Sequence, residues 1–292
     1  MRSAPLPGCA SLREPGRLIV EPLVRSALLE DLAHGGDLTT DALVAPDRQA
    51  RAELVARSAG VVAGLRACLL AFELLDPAVR VDVALADGRP IAAGDGIATI
   101  SGPAAAILTG ERTALNLLGR LSGIATATRQ LVDLVAPYGA HVVDTRKTTP
   151  GLRALEKYAV RCGGGSNHRF GLDDAVLIKD NHLALAGSIA DAVARVRASV
   201  GHLVKVEIEV DTIEQLRQAL ETPIDAVLLD NMPPPMLAQA VQLVAGRVIT
   251  EASGGVRPET IVEIARSGVD LISVGWLTHG APSLDIGLDI VL

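Results

Sequence analysis

The sequence is poor in aromatic residues and has no excess of positive charge. Aromatic side chains make up only 2% of its 292 residues, and the formal net charge is -7. Proteins that bind nucleic acids use basic surfaces and aromatic rings on which bases stack. We therefore expect no nucleic-acid partner. Aliphatic side chains must build the core, and a hydrophobic content of 49% is enough for one.

Long apolar segments and paired cysteines are lacking as well. The most apolar segment, residues 61–75, is short and contains Arg66 and Glu73, so we expect no membrane span. Prolines occupy the N-terminus where a signal peptide needs an apolar core. The three cysteines have neither disulfide nor metal-ligand spacing. These features favour the reducing cytoplasm.

Lysine is also scarce, because only four of the 27 basic residues are lysines. Three of them, Lys147, Lys157 and Lys179, fall within one segment. A chain that otherwise uses arginine is expected to keep lysine where a compact ammonium group is needed. Chance clustering on a solvated face is the alternative.

The first part of the chain predicts a small α+β domain. A proline-rich tail, residues 1–16, precedes a helical pattern over residues 20–32. Short strand-like runs and one helix then alternate over residues 50–102, with turn dipeptides between the later runs. A long helical pattern over residues 109–135 leads into the rest of the chain.

After Gly139, strand-like and helical runs alternate. The strand-like runs are residues 141–145, 175–179, 203–210, 226–230, 247–252 and 271–275. Such alternation predicts a parallel sheet. We expect an α/β protein with an N-terminal α+β sandwich-like domain, followed by a TIM-like β/α barrel of six or seven strands. The expected domains are residues 1–117, joined by the C-terminal segment 281–292, and residues 118–280.

Reactive side chains are concentrated where these strands end. Active sites of β/α barrels lie at the C-terminal ends of the strands, and polar or glycine-rich stretches follow every apolar strand body here. The third strand also alternates, with Lys205, Glu207 and Glu209 on one face. Buried charges must pair or reach a ligand, unless this is a solvent-exposed edge strand. The rim is predicted to bind a phosphorylated, multiply anionic small molecule.

Individual residues on this rim suit different parts of such a ligand. The backbone N–H groups of Ser253, Gly254, Gly255 and Gly275 can approach phosphate oxygens, because glycine has no Cβ to obstruct them. A glycine run, residues 163–165, precedes His168 and Arg169, and arginine suits forked binding of a carboxylate. Two acids are suited to ribose hydroxyls or a hydrated Mg²⁺, namely Glu209 and Asp230.

The ordered motifs of the chain resemble those of the quinolinate phosphoribosyltransferase family. They include Thr145-Arg146-Lys147-Thr148-Thr149-Pro150-Gly151, Glu156-Lys157-Tyr158, Asn167-His168-Arg169, Lys179-Asp180-Asn181-His182, Leu229-Asp230-Asn231 and Ser253-Gly254-Gly255. The resemblance covers nearly the whole chain. It implies an incomplete, open barrel and an enzyme that joins quinolinate to phosphoribosyl pyrophosphate. The products are nicotinate mononucleotide, pyrophosphate and CO₂, and Mg²⁺ is the cofactor.

The resemblance also implies a role for individual residues. Quinolinate carboxylates are expected on Arg146, His168, Arg169 and Lys179, with Lys147 between quinolinate and the ribosyl phosphate. Ribose hydroxyls and Mg²⁺ are expected on Glu209 and Asp230, the metal directly or through water. Thr145 is also expected to bind substrate. Phosphate is expected on the remaining substrate-binding positions, which are Ser253, Gly254, Gly255, Val274, Gly275 and Trp276. The expected catalytic residues are Lys147, Glu209 and Asp230.

Two positions carry further expectations. In the family, an arginine matching Arg112 enters the partner's site, so a homodimer or higher oligomer is implied. A solvated surface arginine is the alternative. Trp276 stands where a small residue is expected, and we expect its backbone to contact phosphate while its ring turns away.

Two other functions compete with this one. Nicotinate phosphoribosyltransferase, or the molybdate-operon homologue of this family, is the alternative enzyme. The cations around His168 and Lys179 argue against it, because a substrate with fewer carboxylates needs fewer cations. A non-catalytic sensor of phosphoribosyl metabolites is the alternative of another class.

Overall fold

The structure is a computed structural model that describes residues 12–291 and divides into two compact units. The parallel unit contains Gln130–Lys147 and Gly165–Trp276. The antiparallel unit contains the described residues up to Arg129, Thr148–Gly164 and those from Leu277 onward. Most of the expected N-terminal tail lies outside the described residues. The expected domain boundary between residues 117 and 118 stays a prediction.

The first group of elements runs from the first helix to a long one. In chain order these are α1 (Arg17–Leu32), α2 (Leu38–Leu43), β1 (Gln49–Ala56), β2 (Gly60–Val61), α3 (Leu65–Leu75), β3 (Arg80–Val83), β4 (Pro90–Ile91), β5 (Gly96–Pro103) and α4 (Ala104–Val135).

Strands and helices then alternate to the end of the chain. They are β6 (His141–Val143), α5 (Arg153–Cys162), β7 (Val176–Ile178), α6 (Asp180–Ala186), α7 (Ile189–Ser199), β8 (Val206–Val210), α8 (Ile213–Leu220), β9 (Ala226–Asp230), α9 (Pro234–Val244), β10 (Ile249–Ser253), α10 (Ile261–Arg266), β11 (Leu271–Ser273), α11 (Trp276–His279) and β12 (Ile286–Val291). Within residues 12–291 no helix is both long and apolar enough to cross a bilayer.

The antiparallel unit is built on a four-stranded sheet. Its strand order is β12-β1-β5-β3, and each neighbouring pair is antiparallel. Alternate residues of β1, namely Ala52, Leu54 and Ala56, are fully buried, as expected for a strand with one face on a core. The C-terminal strand β12 pairs with β1 from Arg51 opposite Val291 to Ala56 opposite Ile286.

The parallel unit is built on a six-stranded sheet with the order β6-β11-β10-β9-β8-β7. Every neighbouring pair is parallel. Among the described residues, the edge strands β6 and β7 do not pair with each other. The strand bodies bury Val142, Ile178, Ile208, Leu229 and Ile272. The prediction of an open β/α barrel with six or seven strands is confirmed.

The structure corrects one detail of the third predicted strand. β8 lies between β7 and β9, so it is not an edge strand. It begins at Val206, however, and the side chain of Lys205 is 76% exposed and pairs with Asp225. Lys205 therefore does not share a buried face with Glu207 and Glu209. The amino end of the strand is open to water, so a charge there costs little.

Three short helices were not predicted, namely α2, α6 and α11. Each has only four to seven residues, too few to show an apolar periodicity. In α6, the ring Nδ1 of His182 accepts a hydrogen bond from the backbone N–H of Lys179 at 2.9 Å. This contact starts the helix directly after β7, where the sequence predicted only a strand end.

Asp225 connects three neighbouring segments at the amino end of the parallel sheet. Its carboxylate accepts hydrogen bonds from Lys205 Nζ at 2.6 Å, Arg197 Nη2 at 2.6 Å and the Val206 backbone N–H at 2.9 Å. Burial alone would raise the pKa of Asp225. These hydrogen bonds outweigh burial and lower the pKa to about 2.

Replacing Asp225 by asparagine is expected to lower the free energy of unfolding by about 1–3 kcal/mol at neutral pH. A lowered folded-state pKa gives stability that is present above the ordinary pKa of 3.8 and is lost as the pH falls through about 2. Urea unfolding of the wild type and of Asp225→Asn should therefore give stabilities that converge as the pH falls. A difference that stays constant over this range would contradict the assignment.

Candidate active site

Charged side chains collect at the carboxyl ends of the parallel strands. Arg146 and Lys147 follow β6, Lys179 follows β7, and Glu209 and Asp230 lie at the ends of β8 and β9. Because the strands are parallel, these ends share one edge of the sheet. All five residues are at least partly exposed there, whereas the strand bodies are buried. This edge offers three cations and two acids to a ligand.

The side chain of Lys147 passes over the backbone of Gly275. A Cβ added at Gly275 would lie 2.8 Å from Lys147 Cδ and 3.5 Å from Thr145 Oγ1. The hydroxyl of Thr145 accepts a hydrogen bond from the Lys147 backbone N–H at 3.0 Å. The residues that follow β6 and β11 therefore lie together, and a Cβ at position 275 would displace the lysine side chain.

Two carboxylates lie on neighbouring strands of this edge. Glu209 forms an ion pair with the ammonium group of Lys179. Asp230 accepts a hydrogen bond from the side-chain amide of Asn231 at 2.6 Å. Carboxylate oxygens are the ligands that Mg²⁺ prefers, so Glu209 and Asp230 are a donor set suited to that ion.

The turn after β10 packs against the turn after β9. Asn231 has a positive φ of 53° and donates its backbone N–H to the Ser253 carbonyl at 2.9 Å. A Cβ on Gly254 would lie only 2.1 Å from Asn231 Oδ1. Gly254 and Gly255 also have φ values of 99° and 58°, which side chains rarely adopt. Glycine is required at this turn, and its backbone is left open to a ligand.

Two guanidinium groups lie near each other on the β6 side of this edge. The pKa of Arg169 is lowered, first by burial and then by the positive charge of Arg146, against the opposing charges of Asp174 and Glu207. Arg169 Nη1 donates to the Ala175 carbonyl at 3.0 Å, which fixes its direction. Two neighbouring cations that repel each other are stabilised by an anion between them. The pair is therefore suited to a carboxylate.

His168 is held from several sides. Its backbone N–H donates to Asp144 at 2.9 Å, and its ring Nδ1 accepts the backbone N–H of Arg169 at 2.7 Å. Its ring Nε2 lies 3.0 Å from Glu207 Oε2. Because Nδ1 is an acceptor, the ring proton lies on Nε2 and is donated to Glu207. The same ring thus connects the sheet interior to Arg169.

Glu251 lies behind His168 and is only 1% exposed. Its Oε2 is 3.6 Å from His168 Nε2. Burial, and then the negative charge of Glu207, raise the pKa of Glu251 to about 8, against the opposing effect of His168. The donor atoms of these three residues lie within 4.8 Å of one another. Nε2 of His168 carries a proton, however, so it cannot bind a metal in this arrangement and hydrogen-bonds to Glu207 instead.

A separate network belongs to the antiparallel unit. The fully buried carboxylate of Glu156 accepts two hydrogen bonds from Arg120, at 2.9 and 2.6 Å, and one from the Thr149 backbone N–H at 3.0 Å. It thereby fixes the segment that follows Lys147 in the chain. Arg112 is exposed on α4.

Comparison with known families identifies the chain. Residues 37–122 match the N-terminal domain of quinolinate phosphoribosyl transferase, and residues 124–289 match its C-terminal domain. The chain belongs to the quinolinate phosphoribosyltransferase family. The resemblance inferred from the motifs is thereby confirmed.

Known members of the quinolinate phosphoribosyltransferase family are similar over nearly their whole length. The chain is 46% identical to the probable nicotinate-nucleotide pyrophosphorylase [carboxylating] of Bacillus subtilis, over 94% of each chain. It is 46% identical to the corresponding Mycobacterium leprae protein, over 91% of this chain and 95% of that one. The solved nicotinate-nucleotide pyrophosphorylase of Francisella tularensis has a TM-score of 0.92 at 38% identity, over 97% and 99% of the two chains.

The tryptophan that departs from the family expectation has a defined position. Trp276 begins α11, and its ring Nε1 donates to the Val256 carbonyl at 3.0 Å. The ring is thus hydrogen-bonded to the segment after Gly255. Val274 precedes it and is buried. The expected contact of residue 276 with phosphate through its backbone stays a prediction.

Sequence reasoning assigned no role in the site to three of its residues, namely Asp144, Glu207 and Glu251. All three are buried acids. Alternation along β8 did signal Glu207, since it shares a face with Glu209. No local pattern signalled that Glu207 and Glu251, which lie on strands separated by β9, meet at one histidine.

Replacing Gly275 by alanine is expected to lower turnover about tenfold or more, because the new Cβ displaces the lysine side chain from its position. Steady-state kinetics with a thermal unfolding measurement checks this. Gly201→Ala is the matched control, since a Cβ there meets nothing within 4 Å. Equal turnover in the two variants would mean that the position of Lys147 over Gly275 is unimportant.

Proposed function

We propose that the carboxyl edge of the parallel sheet binds quinolinate and phosphoribosyl pyrophosphate, and that the protein joins them with release of CO₂. The products are nicotinate mononucleotide, which serves NAD biosynthesis, and pyrophosphate. The observation that carries this proposal is the collection of Arg146, Lys147, Lys179, Glu209 and Asp230 on one edge. The chain as a whole has a net charge of -7, so this local group of cations must focus anions into the site.

The two carboxylates of quinolinate bind to the cationic side of this edge. Arg146 and Arg169 are the primary pair, because the positive charge of Arg146 lies close enough to lower the pKa of Arg169. Lys179 and His168 complete the group. Lys179 forms an ion pair with Glu209, which weakens when Lys179 binds a quinolinate carboxylate. Glu209 is then available to phosphoribosyl pyrophosphate.

Phosphoribosyl pyrophosphate occupies the neighbouring strand ends. Glu209 and Asp230 hold the ribose hydroxyls and also Mg²⁺, directly or through water, since their oxygens suit this ion. When bound, Mg²⁺ neutralises charge on the pyrophosphate leaving group. The phosphate is held by the hydroxyl of Thr145 and by backbone N–H groups of two glycine-containing turns. One turn consists of Ser253, Gly254 and Gly255, and the other of Val274, Gly275 and Trp276.

The reaction depends on position and electrostatics. The pyridine nitrogen of quinolinate attacks the ribose carbon as pyrophosphate leaves, and the acids that hold the ribose favour the positively charged transition state. The ring nitrogen then carries a positive charge. That charge stabilises the electron pair left on the adjacent carbon when CO₂ departs, and this carbon takes up a proton. Lys147 lies between the two substrates and stabilises the negative charge that develops on the leaving oxygen.

The protein is proposed to act as a homodimer or higher oligomer. Arg112 is exposed on α4, and we assign it to the site of a partner chain, where it adds a cation. The proposed compartment is the cytoplasm. Cys68 and Cys162 are buried free thiols, which persist in a reducing environment.

Release of labelled CO₂ from quinolinate tests the function. The protein is incubated with carboxyl-labelled quinolinate, phosphoribosyl pyrophosphate and Mg²⁺, and nicotinate is assayed beside it. We expect CO₂ and nicotinate mononucleotide from quinolinate, and no turnover of nicotinate. Turnover of nicotinate alone would identify the protein as a nicotinate phosphoribosyltransferase. Binding of both substrates without products would identify it as a sensor.

Replacing Lys147 by alanine is expected to lower turnover about a hundredfold or more, as for the loss of one transition-state donor. Initial rates at saturating substrates measure this. Lys205→Ala is the matched control, because Lys205 pairs with Asp225 away from the site. Wild-type turnover in Lys147→Ala would refute the role assigned to Lys147.

Mixing two inactive variants tests the shared site. Arg112→Ala and Lys147→Ala proteins should regain about a quarter of wild-type activity when their subunits exchange, because half the dimers are mixed and each mixed dimer has one intact site. Subunit exchange is followed by native mass spectrometry. Exchange without recovery of activity would place Arg112 in its own chain's site, or in none.

A further inference from the structure

Glu251 is a buried carboxyl group that the proposed reaction does not use. It is only 1% exposed. Its Oε1 is buried and has no hydrogen-bond partner among the described residues, while its Oε2 faces His168 at 3.6 Å. An ionised carboxylate with one oxygen unpaired in the interior is strongly disfavoured. The geometry therefore indicates a neutral carboxylic acid.

The histidine beside it has a defined proton arrangement. Nδ1 of His168 accepts the Arg169 backbone N–H, so the ring proton lies on Nε2 and is directed at Glu207. With Glu251 neutral, Glu207 supplies the negative charge of this group. Glu207 also acts on Arg169 through its charge. The net charge of this group therefore contributes to the field around the guanidinium group.

We propose that Glu251 is a positioning residue, which in its uncharged form holds His168 in its tautomer and keeps the site beside Arg169 positive enough for a dicarboxylate. The proposal rests on the proposed binding of quinolinate at Arg146 and Arg169. If Glu251 ionised, a second buried negative charge would face the imidazole ring. That charge would oppose the cations that hold the substrate carboxylates.

The pH at which this change occurs follows from the groups that face Glu251. Burial and the charge of Glu207 raise the pKa of Glu251 to about 8, and Asp144 acts in the same direction. His168 and the hydroxyl of Ser273 lower it. A raised pKa means that the acid is neutral below about pH 8 and charged above it. Quinolinate binding should therefore weaken as the pH rises through this value.

The experiment compares KM for quinolinate in the wild type and in Glu251→Gln from about pH 6.5 to about pH 9.5, with phosphoribosyl pyrophosphate and Mg²⁺ saturating. We expect the wild-type KM to rise on the order of tenfold across this range, with a smaller change in kcat. Glutamine cannot ionise, so Glu251→Gln should bind as the wild type does at neutral pH and lack the rise.

Two further variants keep the test decisive. Glu214→Gln removes an exposed carboxylate of α8 in the same unit and should keep the wild-type profile. Ser273→Ala leaves Glu251 in place but removes a hydroxyl that lowers its pKa, so the rise in KM should move to higher pH. This variant remains informative if Glu251→Gln does not fold.

The results separate this inference from the proposed function. If the wild type releases no CO₂ from quinolinate at any pH, the proposed function fails. If CO₂ is released and the rise in KM is the same in wild type, Glu251→Gln and Ser273→Ala, only the role of Glu251 is refuted. A wild-type KM that does not change over this range would refute it as well.

Discussion

The cost of removing charge from water is the constraint on which this structure depends. A parallel sheet is covered on both faces, so its strand bodies here are aliphatic and its charges are confined to the strand ends. The cations and acids at the carboxyl edge come from segments far apart in sequence, between Arg146 and Trp276. They lie together because the strands run in one direction. The buried acids that break this rule, such as Glu207 and Glu251, are grouped around a histidine.

Much of this arrangement follows from sequence alone. Apolar runs followed by polar ends predicted all six strands of the parallel unit, and the rule that parallel strands share an edge predicted that Lys179, Glu209 and Asp230 lie on one side of the sheet. Strand limits were less accurate, because a run such as residues 203–205 has strand-like composition but lies outside β8. Short helices such as α6 depend on single contacts, here His182 with Lys179, which no periodicity reveals.

What could not be predicted depends on contacts between distant strands. The passage of Lys147 over Gly275 requires knowing that β6 and β11 are neighbours. The meeting of Glu207 with Glu251 requires knowing which side chains of β8 and β10 face inward. The network of Arg120 and Glu156 likewise joins two helices and a loop. In each case the sequence shows a side chain that can form an interaction, and only the fold shows which residue it interacts with.

A crystal structure of the protein with quinolinate bound tests the central claim most directly. The claim is that the carboxyl edge of the parallel sheet is a binding site for a dicarboxylate. The account predicts that the carboxylates of quinolinate lie within hydrogen-bonding distance of the guanidinium groups of Arg146 and Arg169, with Glu251 still buried behind His168. Quinolinate bound at another surface, with this arginine pair left in water, would contradict it.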